Sequence, residues 1–125
     1  MPTVFDVAGY LLELKADKSN WTTIKLQKLV YYCQAWSLVW DEAPLFPERI
    51  EAWASGPVAP DLFQRFKGSY YVPPSPVGDA SVLTDVQKET IEAVFRDYGN
   101  RSAHWLVELT HQEDPWKDAR ERAGA

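Results

Sequence analysis

The segment from Trp21 to Trp40 is apolar on nearly every face, and no other stretch restricts the fold as much. Leu26, Leu29, Val30, Cys33, Trp36 and Trp40 recur at helical spacing, while Tyr31, Tyr32, Ala35, Leu38 and Val39 fill the flanks of that stripe. A helix with so little polar surface needs neighbours on several sides, so it belongs at the centre of a bundle. Thr22 or Thr23 supplies its N-cap. Trp36 and Trp40 read as core. The polar exceptions are Lys25, Lys28 and Gln34, and the two lysines share a face near the helix start.

Shorter elements surround it. Val4, Val7, Ala8, Leu11 and Leu12 predict a helix over 3–14, capped by Thr3 with Asp6 in a capping-box arrangement. Pro44 and Pro47 break the chain after the central helix, and Ile50–Trp53 alternates in the manner of a short strand or extended piece. Gly56-Pro57 signals a turn. Pro60 suits the first position of a short helix carrying Leu62, Phe63 and Phe66, which Gly68 is placed to end. Residues 69–82, with three prolines and Gly78, read as an irregular exposed connection. Thr84 with Gln87 forms a capping box ahead of Ile91, Val94, Phe95 and Tyr98, with Gly99 as a stop. Ser102 caps a further helix carrying Trp105, Leu106 and Leu109, and Asp114-Pro115 opens a last turn or two through Arg120. The expected fold is therefore mainly α. It is a compact single domain over residues 1–125, with five to six short helices around the central apolar one and one short strand or extended segment.

Charge and composition narrow the function. The formal net charge of −5 repels phosphate backbones, and Lys25 with Lys28 is the nearest thing to a basic patch, so direct nucleic-acid binding is not expected. A basic protein partner is attracted instead. Cys33 is the sole cysteine, no leader of basic-then-apolar character opens the sequence, and no apolar run approaches the roughly 20 residues of a membrane helix. Cytoplasmic localisation without membrane association is the expectation.

The most enzyme-like pattern is His104, Glu108 and His111, spaced to share one helical face with the ligand types of a catalytic zinc site. The two-histidine metalloprotease helix places its histidines four apart, which this segment does not. The plainer reading has His104 solvated and His111 in a structural hydrogen bond. Cys33 lies in the apolar stripe, where a thiol is inert. Phosphate-cradling glycine loops and nucleophile elbows are absent from the sequence. The chain is expected to be no enzyme and to use no cofactor or metal, with a small metal-dependent hydrolase kept as a rival. The six Trp, six Tyr and five Phe supply both core and interface area. Trp53 and Trp116 suit coverage of the core edge or a partner anchor, and Tyr70 and Tyr71 stand open between the two roles.

Three stretches then resemble a known family. Lys25-Leu26-Gln27-Lys28-Leu29-Val30-Tyr31-Tyr32-Cys33-Gln34-Ala35-Trp36, Pro44-Leu45-Phe46 and Ile50 through Pro60 are similar to the Panacea domain of SocA-like antitoxins and phage-associated proteins. Thr110-His111-Gln112-Glu113-Asp114-Pro115-Trp116-Lys117-Asp118-Ala119-Arg120 resembles that family's closing signature. The resemblance implies a helical domain that neutralises a cognate protein toxin by direct contact; some members carry an additional DNA-binding segment, for which this chain is expected to have no spare length. A proteolytic adaptor that delivers the toxin to a host protease is the alternative. Lys25, Lys28, Tyr31, Trp53, Gly56, Pro57, Pro60, His111, Glu113, Pro115, Trp116 and Arg120 are the motif positions, expected mainly to hold the shared fold. In particular, His111, Glu113 and Arg120 are expected to lock the last turns against the Gly56-Pro57 loop, with Trp116 filling the gap. Partner contact is expected at Tyr70, Tyr71, Trp53 and Trp116.

Overall fold

Five α-helices, one 3-10 turn and one two-stranded sheet make up the computed structural model, which describes residues 1–15, 20–74 and 76–113. Helix α1 spans Val4–Leu14, and its capping box is formed as the sequence predicts, Thr3 and Asp6 each bonding the other's backbone N–H. Helix α2, Thr23–Trp40, starts at the Thr22 cap. Strands β1 (Glu51–Trp53) and β2 (Gly56–Val58) form an antiparallel hairpin in the register Glu51–Val58, Ala52–Pro57 and Trp53–Gly56. Helix α3, Pro60–Arg65, follows at once with proline in its first turn. A 3-10 turn at Ala80–Val82 leads to α4, Asp85–Tyr98, under the Thr84–Gln87 capping box, and α5, Ala103–Gln112, is capped by Ser102. The helix expected from Asp114 to Arg120 lies outside the described residues.

Helix α2 is central as expected: α1, α3, α4, α5 and β2 all touch it. Leu26, Leu29, Val30 and Cys33 are fully buried against Val7 and Leu11 of α1, Ile91 and Val94 of α4, and Leu106 of α5. Each such aliphatic side chain contributes about 1.5–3 kcal/mol by leaving water, so this one stripe organises the core.

Four expectations need correction. Trp40 is 49% exposed rather than core, and Leu38 and Val39 beside it are exposed too. The chain folds back immediately after α2, held by the Ser37 hydroxyl donating to Ala43 C=O (2.7 Å) and the Thr90 hydroxyl donating to Asp41 Oδ2 (2.7 Å). The last turn of α2 is thereby left uncovered, and Trp40 stacks on Trp36 at 4.7 Å between ring centroids. Lys28 is not part of a surface patch, for it is fully buried, while Lys25 lies over the Trp21 ring at 4.9 Å. The hairpin turn is Ala54-Ser55, one step before Gly56-Pro57, which belong to β2. Finally, the connection after α3 is anchored, not merely exposed. Thr23 N–H donates to Tyr70 C=O (3.0 Å), Val72 N–H donates to Trp21 C=O (2.9 Å), and Val77 is buried. Asp6 secures its far end by accepting from Asp79 N–H at 2.7 Å, a second task for a residue read only as a cap.

Candidate functional site

The polar side chains of α2 reach out to seize the backbone of the segments that wrap it. Gln27 is buried and pairs with both backbone groups of Ala59, donating to its C=O at 3.0 Å and accepting from its N–H at 2.9 Å. Two turns further along the same face, Gln34 does the same for the segment after α2. Its amide donates to Phe46 C=O (2.9 Å) and its oxygen accepts from Leu45 N–H (2.7 Å). Leu45 and Phe46 are thereby driven into the core. Lys28 donates to Pro57 C=O at 2.8 Å. A buried ammonium lacks hydration, and burial lowers Lys28 to about 8. These clamps satisfy backbone groups of Leu45, Phe46, Pro57 and Ala59 as the segments around α2 are packed against it.

Gly56 is required where these clamps meet. Its φ of +106° suits glycine, and a Cβ there would stand 2.8 Å from Thr110 Oγ1 and 2.9 Å from Lys28 Cε. The hairpin thus lies directly on α2 and on α5, which are joined again where the Tyr32 hydroxyl donates to Glu113 Oε1 at 2.8 Å. Burial first, and then Glu113, push the Tyr31 and Tyr32 hydroxyls up from their ordinary value. Of the closing residues expected to act together, Glu113 bonds α2, and His111 is half-buried on α5. Pro115, Trp116 and Arg120 lie outside the described residues.

On the outside of the locked hairpin lies an aromatic face. Trp53 meets Phe63 edge-on at 5.0 Å between centroids, and its indole N–H donates to Glu51 Oε1 at 2.8 Å. Beside this pair is a groove of about 180 Å3 bordered by Ile24, Leu62, Phe66 and Ser69. Phe63 and Ile24 are exposed on its rim. Ser69 leads directly into Tyr70 and Tyr71, which are 67% and 52% exposed and pack edge-on at 4.7 Å. An isolated bridge between Thr22 and Tyr71 fixes that pair next to the start of α2. Trp53 and Phe63 thus border one groove with Ile24, and the exposed Tyr70–Tyr71 pair follows its Ser69 wall in the chain. Sequence reasoning missed Ile24 and Phe63 as exposed: Phe63 reads with Leu62 and Phe66 as one apolar set, of which the other two are buried, and Ile24 stands outside the apolar stripe of α2.

The metal-ligand pattern does not close into a site. His104 and Glu108 are exposed and His111 is half-buried, and among the described residues no three His, Cys, Asp or Glu side chains converge to hold an ion. Cys33 is fully buried and burial pushes its thiol up, the reverse of an activated nucleophile. Among the described residues no helix is long and apolar enough to cross a membrane.

Comparison with known proteins adds a family. The family model described as "Antitoxin SocA-like, Panacea domain" matches residues 26–117, which takes in the central helix, the hairpin, α3, α4 and α5. No curated protein and no solved structure matches the chain.

Proposed function

Because the chain belongs to the family of SocA-like antitoxins with a Panacea domain, we propose that it is an antitoxin that neutralises a cognate protein toxin by direct binding, without chemistry of its own. The observation that carries this reading is a set of outward aromatics: half-buried Trp53 on the hairpin clamped to the core, exposed Phe63 on α3, and exposed Tyr70 and Tyr71 in the connection that follows. Rigid aromatic side chains at a half-open groove are the usual anchors of a protein interface. The clamped residues Lys28, Gly56 and Pro57 hold the scaffold, and the outward aromatics select the partner.

The test is co-expression with the product of the adjacent gene, following growth and co-purification. Rescue of growth together with a stable complex is expected, and failure of both refutes the antitoxin role. Within such a complex, the double change Tyr70→Ala and Tyr71→Ala should weaken binding at least about tenfold, as loss of an aromatic anchor does. Unaltered affinity places the interface elsewhere.

A further inference from the structure

A second groove, on the far half of α2, has a different chemistry. It has a volume of about 450 Å3 and is walled by Tyr31, Tyr32, Trp36, Val39, Tyr98 and Glu113. Tyr32 and Tyr98 stack at 4.5 Å, Tyr31 meets Tyr32 edge-on at 5.1 Å, and the Trp36 indole N–H donates to the Tyr98 hydroxyl at 3.2 Å. These contacts fix four rings in one cluster before any ligand arrives. Glu113 brings a carboxylate to its edge, with Oε1 accepting from Tyr32, and no ion pair of Glu113 occurs among the described residues. No basic side chain stands among the described residues lining this groove. Exposed Leu38, Val39 and Trp40 continue it as an apolar apron along the last turn of α2.

Aromatic rings grouped around one carboxylate attract a cation, through their negative faces and through the ionic charge. Among cationic groups, guanidinium is planar and weakly hydrated, so it stacks on rings and reaches a carboxylate while shedding little water. The net charge of −5 adds a long-range pull in the same direction. We propose that this groove receives an arginine side chain of a partner protein, stacked among Tyr31, Trp36 and Tyr98 with its charge on Glu113. The proposal deepens the partner-binding reading by naming a second contact point and its chemistry, yet its test needs no toxin.

The experiment titrates the full chain with N-acetyl-arginine methylamide and follows the Trp36 indole N–H by NMR, with the neutral isostere N-acetyl-citrulline methylamide as control. Saturable shifts at Trp36 are expected with arginine, and binding at least about fivefold weaker with citrulline, the cost of losing one cation–π and ionic contact. Glu113→Gln keeps an oxygen to accept from Tyr32 and removes the charge, so it should lose the same factor. Equal response to both probes, an unchanged arginine response in Glu113→Gln, or no saturable shift overturns the assignment. The citrulline comparison uses the unaltered protein, so the result stands even if the variant fails to fold.

Discussion

Replacing Lys28 by methionine isolates the buried ammonium beneath the hairpin. In the unfolded chain the amine holds its proton up to the ordinary value of 10.5, whereas in the fold burial lowers that value to about 8. Below pH 8 the amine is charged in both states and the fold bears the whole cost of burying it. Between the two values the unfolded state binds more protons than the folded state, so stability rises with pH across that window. The total rise amounts to about 3 kcal/mol, at no more than roughly 1.4 kcal/mol per pH unit. Methionine is similar in length and loses the bond to Pro57 C=O equally at every pH. The unfolding free energy of the wild-type protein minus that of Lys28→Met, measured by urea denaturation, should therefore grow by about 2 kcal/mol from roughly pH 7.5 to roughly pH 9.5. Subtraction cancels Cys33, Tyr31 and Tyr32, whose raised values lower stability at alkaline pH in both proteins. A difference that stays flat with pH refutes the buried-charge account of Lys28.

Other outcomes follow from the same geometry. Gly56→Ala forces a side chain into left-handed backbone and against Thr110 and Lys28, and should cost about 2–5 kcal/mol by thermal or urea unfolding. Gln27→Ala leaves the Ala59 N–H buried without a partner and its C=O with the Phe63 N–H alone, and should cost about 1–3 kcal/mol in the same assay. For a basic toxin, stopped-flow association should slow as salt rises from about 0.05 M to about 0.5 M, since the −5 charge acts over distances that salt screens. An association rate indifferent to salt shows that steering plays no part.

Local chemistry was readable directly from the sequence, and distant chemistry was not. Thr3 with Asp6, Thr22, Thr84 with Gln87, and Ser102 mark their helix starts because a cap and its N–H groups lie within a few residues of one another. Pro60 marks α3 for the same reason. Lys28 misled because its acceptor, Pro57 C=O, is 29 residues away, and only the folded hairpin supplies it. Gln27 went unnoticed as a clamp, although glutamines at 27 and 34 share a face of an otherwise apolar helix, and that pattern is a usable signal for buried backbone partners. Trp40 followed the periodicity of its helix, but whether a last turn is covered depends on where the chain goes next. For the candidate site, exposed tyrosines beside a glycine and prolines were legible as surface, whereas the pairing of Trp53 with Phe63 and the bridge from Tyr71 to Thr22 arise only in the fold.

The backbone bonds from Tyr70 to Thr23 and from Val72 to Trp21 carry a consequence for the kinetics of recognition. A loop that must be ordered during an encounter gives up conformational entropy at that moment, and each immobilised side chain adds about 0.5–1.5 kcal/mol to the deficit. Here the backbone of the tyrosine pair is ordered when the domain folds, so a partner meets a surface already set at a fixed spacing from Ile24. Exchanging the prolines farther along the loop should leave that spacing unchanged, because the backbone of the tyrosine pair is held by the start of α2 rather than by the loop as a whole.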